Sequence, residues 1–346
     1  MIKTLSSPGA GLARSEDVRL DALHRWLEGM PQYAGFELKP ASSDASFRRY
    51  FRVHHTDGTA IVMDAPPERE DCQPFLHVAT LMQAAGLNVP EILAQDQAQG
   101  FLLLSDLGAQ TYLDALNDAN ADDLFTAAID ALIRWQRATR LGELPLYDDT
   151  LLRRELALFP EWYLDRHLRK GLSTAQREGL GIINTLLVRR ALAQPGVYVH
   201  RDYMPRNLMI STPNPGVLDF QDAVCGPISY DVVSLFKDAF LSWPEACVRD
   251  WARQYWHAAR AEHLPVTTDF DEFLADFEWM GVQRHLKVLG IFARINYRDG
   301  KPGYLTDTPR FFGYVREAAA RHAQLAPLAY LFDDFEAHAA REGIPI

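Results

Sequence analysis

Cysteine is scarce in this 346-residue chain, which holds only Cys72, Cys225 and Cys247. They are scattered and form no C-x-x-C pair, so a disulfide framework is excluded and a reducing cytoplasm is the simplest expectation. Long apolar runs are missing as well. Phe101-Leu102-Leu103-Leu104 is broken at once by Ser105-Asp106, far short of the roughly 18 residues of a membrane span, and reads as a buried strand. Residues 1–16 lack the apolar stretch of a signal peptide, and their Ser, Gly and Pro content predicts a loose tail. The phosphate-binding pattern G-x-x-x-x-G-K-[ST] and the zinc pattern H-E-x-x-H are absent. Gly9-Ala10-Gly11 runs into Leu12-Ala13-Arg14 and fails the dinucleotide fingerprint. Basic side chains are in deficit, 35 against 46 acidic ones, for a net charge of −11. That balance opposes binding to nucleic acid or to an anionic membrane. It does not oppose a small anion, because a local field can run against the net charge.

What is present suffices for a large core. The chain is 48% hydrophobic and 11% aromatic, which excludes global disorder. At roughly 150 residues per domain the length suggests two domains or one bilobed unit. Val18 to Leu27 has helical apolar spacing. Phe36 to Lys39, Ser46 to Val53 and Thr59 to Ala65 read as strands, with Asp57-Gly58 as a hairpin signal. Cys72 to Ala85 reads as a helix closed by Gly86, and Pro90 to Ala94 and Gly100 to Leu104 as two further strands. Beyond Ser105 helical patterns dominate: 111–116, 122–139, 150–168, 173–193, and most of the chain from Trp243 onward. Short strand-like pieces interrupt them at 197–200, 207–210 and 216–220. The expectation is an α+β bilobal architecture: a tail over 1–17, a small β-rich lobe over 18–104, and a larger mainly helical lobe over 105–346.

The sharpest signal is His200-Arg201-Asp202-Tyr203-Met204-Pro205-Arg206-Asn207. This H-R-D-x-x-x-x-N spacing resembles the catalytic loop of kinases. It follows an apolar strand and precedes Val217-Leu218-Asp219-Phe220-Gln221, which puts an acid at the end of a hairpin. Phosphoryl transfer passes through a loose transition state, so a protein mainly positions groups and neutralises charge. Asp202 would take the acceptor hydroxyl's proton. Asn207 and Asp219 would give oxygen ligands to Mg²⁺. Arg206 would meet phosphate charge or form a structural ion pair. Gly226 follows Asp219 by only seven positions, which leaves no room for a long peptide-binding activation loop and favours a small acceptor.

With Leu218-Asp219-Phe220-Gln221-Asp222 and Gly226-Pro227-Ile228-Ser229-Tyr230-Asp231, the loop resembles the aminoglycoside phosphotransferase and choline kinase-like family. The resemblance runs from about residue 20 to the end of the chain. It implies a protein-kinase-like fold, ATP and Mg²⁺ as cofactors, and structural support of the catalytic loop by His200 and Asp231. The small lobe departs from the protein-kinase pattern. The phosphate-covering loop is Ala41-Ser42-Ser43-Asp44-Ala45-Ser46, serine-rich in place of glycine-rich, so Ser42, Ser43 and Ser46 are its candidate phosphate contacts. Met63 stands where the third strand should end in lysine. Arg49 either compensates, against ATP phosphates, or pairs with a carboxylate such as Asp64, Glu68 or Glu70. Leu103 and Leu104 precede the connector whose main chain would meet adenine.

Ser42 to Tyr50, Val62 to Glu70 and Phe292-Ala293-Arg294 resemble a narrower group, the anomeric kinases of N-acetylmuramate and N-acetylglucosamine of bacterial cell-wall recycling. The resemblance implies an amino-sugar acceptor phosphorylated at its C1 hydroxyl, and the enzyme is expected to be cytoplasmic and monomeric. N-acetylmuramate carries a lactyl carboxylate, so a cation is expected beside it. Residues 278–295 read as a helix, and Arg284, Lys287, Arg294 and Arg298 fall within one face at 3.6 residues per turn. Arg294, among apolar neighbours, is the first candidate and Arg284 the second, against a solvated basic face. Asp222 would bind sugar hydroxyls or hold its own turn. Two other readings stand beside this one. One is a family kinase acting on an amino alcohol, homoserine or an aminoglycoside, which the acids Asp114, Asp118, Asp122 and Asp123 keep open. The other is a catalytically weak binding module, suggested by Met63.

Overall fold

The computed structural model of the chain describes residues 17–42, the last by its main chain alone, and 47–346. No described helix is long and apolar enough to cross a membrane. Two compact units form: the described part of Met1–Asp71 with Ile92–Asp106, and Cys72–Glu91 with Leu107–Ile346. Residues 72–91, read in the sequence as part of the small lobe, pack with the second unit.

In the first unit, helix α1 (Val18–Glu28) starts at Asp17, whose carboxylate accepts the Leu20 N–H at 3.0 Å and so satisfies an end group of the first turn. Strands β1 (Glu37–Ser42), β2 (Arg49–His55), β3 (Gly58–Asp64), β4 (Ile92–Asp96) and β5 (Phe101–Ser105) form one antiparallel sheet in the order β1-β2-β3-β5-β4. Leu23 and Leu27 of α1 bury against Val53, Ala60, Val62, Phe101 and Leu103, the positions that alternation puts on one face. The hairpin forms one residue earlier than Asp57-Gly58 suggests: His55 pairs with Gly58, so Thr56 and Asp57 make the turn. Gly100, at φ +73, admits no side chain, since a Cβ there would lie 1.8 Å from the Ala65 carbonyl oxygen.

The second unit begins with α2 (Gln73–Ala84) and continues through α3 (Tyr112–Ala115), α4 (Ala121–Arg137), α5 (Asp149–Leu158) and α6 (Thr174–Ala193). The single helix expected over 150–168 changes character midway. At Leu158 it becomes a π-helix, Phe159–Leu168, where Pro160 has no N–H to give to the α-helical ladder. Four short strands follow: β6 (Gly196–Val199), β7 (Leu208–Met209), β8 (Gly216–Val217) and β9 (Val224–Pro227). β6 pairs with β9, and β7 with β8. Then come α7 (Tyr230–Phe236), α8 (Glu245–Ala261), α9 (Phe270–Asp299), α10 (Thr308–Arg321) and α11 (Ala326–Glu342). Helix α9, longer than the 278–295 expected, is the axle of this unit. It is buried without a break from Phe277 to Gly290 and packs on α5, the π-helix, α6, α7 and α10.

Candidate active site

The β6–β7 connection, residues 200–207, and the β8–β9 connection, residues 218–223, converge in the second unit. Buried β6 delivers His200, which is fully buried. The His200 imidazole meets the Leu218 carbonyl through Nε2 at 3.0 Å and the Asp202 N–H through Nδ1 at 3.3 Å. A neutral ring with its proton on Nε2 satisfies both, and burial holds its pKa down to about 4. Asp231, in the first turn of α7, accepts the N–H groups of His200 at 2.7 Å and Arg201 at 3.0 Å. Its burial outweighs those bonds and pushes the carboxyl up to about 7.

These contacts fix the main chain around Asp202. The Asp202 carbonyl accepts from Asn207 Nδ2 at 2.9 Å, and the same nitrogen lies 3.4 Å from Asp219 Oδ2. The Asn207 carbonyl in turn accepts the Leu218 N–H at 2.9 Å, and Asp219 Oδ1 accepts from Gln221 Nε2 at 2.9 Å. One hydrogen-bonded chain therefore runs from Asp202 through Asn207 to Asp219. Arg201 (φ +76) and Asp219 (φ +62), one in each loop, have left-handed backbones. That conformation is costly without glycine and concentrates at functional sites.

The Asp202 side chain is 37% exposed, and Arg284 Nη2 stands 3.8 Å from its Oδ1. Burial would raise the carboxyl's pKa, but Lys287, Arg284 and Arg201 outweigh it, and the group sits below the ordinary carboxylate range. The basic face expected of α9 divides into buried and outer members. Arg284 and Lys287 are buried. Arg284 Nε donates to Ser234 Oγ at 2.6 Å, and Lys287 pairs with Glu155 at 3.0 Å. Arg284 therefore stands behind Asp202, already engaged by protein groups. Arg298 is exposed and bonds its neighbour Asp299. Arg294 differs from all of these. It is half-buried, and its buried Nε has no hydrogen-bond partner among the described residues. Burial lowers its pKa, and Arg298 adds to the effect.

Arg206 packs against aromatic side chains. Its guanidinium lies over the rings of Phe240 at 4.6 Å and Tyr304 at 5.9 Å, with Nη1 3.4 Å from the Tyr304 hydroxyl. Asp222 is exposed, and its carbonyl accepts from Arg201 at 3.4 Å.

In the first unit, Ser43 and Ser46 lie outside the described residues, as does the Ser42 side chain. Leu103 and Leu104 sit in an interior strand, paired with Val62 and Ile61 on one side and with Ala94 and Ile92 on the other. Their main chain is thus committed to the sheet. Arg49 takes the ion-pair alternative: it bonds fully buried Asp64 through Nε at 2.9 Å and also pairs with Asp17. Asp64 is shared with Arg19. Arg49→Ala is therefore expected to cost about 1–2 kcal/mol of stability by weakening a charged hydrogen-bond set around a buried carboxylate. The KM for ATP should stay within twofold. Thermal melting and ATP titration check this, and a raised KM with unchanged melting would return Arg49 to the phosphates.

Glu155 was missed in the sequence. It is buried between Arg201 and Lys287. A signal existed, because Leu152, Glu155 and Leu156 share the apolar stripe of α5, and an acid there needs a partner. Phe240 and Tyr304, which reach Arg206 from far along the chain, gave none.

A family model described as the phosphotransferase enzyme family matches residues 37–267. An N-acetylmuramate/N-acetylglucosamine kinase of Pseudomonas aeruginosa is 56% identical over 327 residues, covering 92% of this chain and 97% of that one. A protein of the same description from Neisseria meningitidis serogroup B is 48% identical over 88% of this chain and 92% of its own. Among solved structures, choline kinase of Streptococcus pneumoniae aligns with a TM-score of 0.61 at 12% identity, over 87% of this chain and 99% of that one. An ADP-bound aminoglycoside phosphotransferase aligns with a TM-score of 0.58 at 14% identity, over 86% and 96%. These two establish a shared protein-kinase-like fold.

Proposed function

This chain belongs to the phosphotransferase enzyme family, and from that premise we propose an ATP- and Mg²⁺-dependent sugar kinase that phosphorylates the anomeric C1 hydroxyl of N-acetylmuramate and N-acetylglucosamine. The relatives' acceptors support the sugar assignment. The observation that carries the chemistry is the hydrogen-bonded chain joining Asp202, Asn207 and Asp219. Asp202 orients the acceptor hydroxyl and takes its proton late. An anomeric hydroxyl is more acidic than an ordinary alcohol, so an ionised carboxylate suffices. Asn207 and Asp219 suit a hard cation. They bring one amide and one carboxylate, close together on fixed backbone, and Mg²⁺ asks for one or two carboxylates, phosphate oxygens and water. When bound, the ion neutralises charge on the transferring phosphates. Arg206 adds positive charge from the catalytic loop, held on the faces of Phe240 and Tyr304.

The immediate pairing of β9 with β6 after the Asp219 loop supports a small acceptor, because no long segment intervenes. We assign the nucleotide's cover to the lobe spanning 18–104. Ser42, Ser43 and Ser46 are assigned to its phosphates, and main chain just beyond Leu103 and Leu104 to adenine. Asp222 contacts sugar hydroxyls, and Arg294 meets the lactyl carboxylate. The product feeds cell-wall recycling in the cytoplasm, and the enzyme works as a monomer.

ADP release measured with N-acetylmuramate, N-acetylglucosamine, choline and kanamycin tests the reading. Turnover is expected with both acetylated sugars, giving products without a free reducing end. Absence of turnover with either sugar sinks the reading, and a product that still reduces sinks the C1 assignment. Arg294→Ala should raise the KM for N-acetylmuramate about tenfold, the worth of one charged hydrogen bond, and leave that for N-acetylglucosamine unchanged. An equal effect on both sugars removes Arg294 from the carboxylate.

A further inference from the structure

Arg201 does none of the chemistry assigned above, yet it touches three parts of the site's framework, α7, the Asp219 loop and α5. Its N–H donates to Asp231 at 3.0 Å and its backbone is left-handed, with φ +76. One arm of its guanidinium donates to the Asp222 carbonyl at 3.4 Å, in the loop that carries Asp219. The other arm pairs with Glu155 of α5. The Glu155 side chain is 6% exposed and engaged at both oxygens: Oε1 receives Arg201 and, at 3.0 Å, Lys287, while Oε2 receives the Tyr147 hydroxyl. Lys287 also donates to the Tyr230 hydroxyl at 2.9 Å. One carboxylate thus sits between two cations, with Glu155 and Lys287 buried and Arg201 largely so, joining α5, α9 and both loops.

Such a cluster is a poor way to gain stability, since desolvating the charges offsets most of their attraction. Its geometry offers something else. A planar two-armed guanidinium bridging two segments sets the distance between them, which a point-charge ammonium does not. We infer that Glu155, Lys287 and Arg201 form a positioning clamp, in which Glu155 holds Arg201 so that it fixes the Asp202 loop against the Asp219 loop. The clamp rests on the assignment of Asp202 and Asp219 above. Kinases that order their loops by phosphorylation do so through new arginine–phosphate pairs. Here an internal carboxylate takes that place, so the ordering needs no modification.

The test compares Arg201→Lys and Glu155→Gln, singly and together, with the wild-type chain and Asp202→Ala. Melting, steady-state kinetics with ATP and N-acetylglucosamine, and amide hydrogen exchange are read on the same samples. The clamp predicts cooperative melting, both KM values within about threefold, and kcat down about 100-fold in each single variant, the scale of a small misplacement. The double variant should lose no more than the worse single one. Exchange should quicken in both loops, 200–207 and 218–223. A folded Arg201→Lys with near wild-type kcat, multiplicative losses, or unchanged exchange in the two loops overturns the clamp. So does failure of both single variants to fold, which would make the cluster a device of stability. Should the wild-type chain turn over neither sugar, the functional reading fails, and the exchange data still decide the clamp.

Discussion

Asp202→Ala is expected to lower kcat about a thousandfold, in the middle of the range for removing a positioned general base, while the chain melts within a few degrees of wild type. The reason is the division of labour at this residue. Its main chain does the structural work: the N–H donates to His200 Nδ1 and the carbonyl accepts from Asn207. Alanine keeps both. What alanine removes is a carboxylate that is 37% exposed and lies 3.8 Å from Arg284. Arg284 then loses one anion but keeps Ser234 Oγ. Asp202→Asn preserves the shape and can still orient a hydroxyl, so its loss should be smaller than alanine's. ADP release with N-acetylglucosamine at saturating ATP measures both. A loss under tenfold for alanine would take the proton-accepting role away from Asp202. A collapse of melting would mean that the side chain is structural.

The parts of this site that sequence alone made legible are those held by short-range spacing. His200, Asp202 and Asn207 belong to one eight-residue stretch, and Asp219 follows the next hairpin. The backbone demands of that stretch leave little choice of residue. The strands of the first unit were legible for a similar reason, because alternation predicts which side chains meet α1. Long-range partners were not legible. Arg49 was equally compatible with a phosphate and with an ion pair, and the pair that forms depends on the register Arg49↔Asp64 between β2 and β3, with Asp17 brought alongside. The basic positions of α9 were read as one face, yet Arg284 and Lys287 are buried and Arg298 is exposed. The burial of that helix depends on α5, α6, α7 and α10 together, and no local pattern encodes their arrangement. The clamp joins residues 46, 86 and 132 positions apart, which periodicity cannot see.

Gly290→Ala is expected to cost about 3 kcal/mol, or roughly 10 °C of melting temperature for a unit of this size, although alanine is the better helix former by about 1 kcal/mol. A Cβ at Gly290 would lie 2.4 Å from the carbonyl carbon of Leu158, 2.5 Å from its oxygen and 2.6 Å from its Cβ. Those are mainly backbone atoms at the junction of α5 and the π-helix, so no rotamer change relieves the clash and α9 must retreat. The same seam carries Lys287 to Glu155 at 3.0 Å one turn earlier, and Tyr297 to His167 at 3.2 Å two turns later. Retreat of α9 therefore pulls Lys287 from the carboxylate that holds Arg201, and kcat should fall together with stability. Gly281→Ala supplies the contrast on the same helix. A Cβ there meets only ordinary contacts, the nearest being His285 at 3.5 Å, so it should leave kcat unchanged and melt no lower than wild type. Melting curves and kcat for the two variants decide the matter. If Gly290→Ala matched Gly281→Ala, close approach of α9 to α5 would not be what seats Lys287 on Glu155.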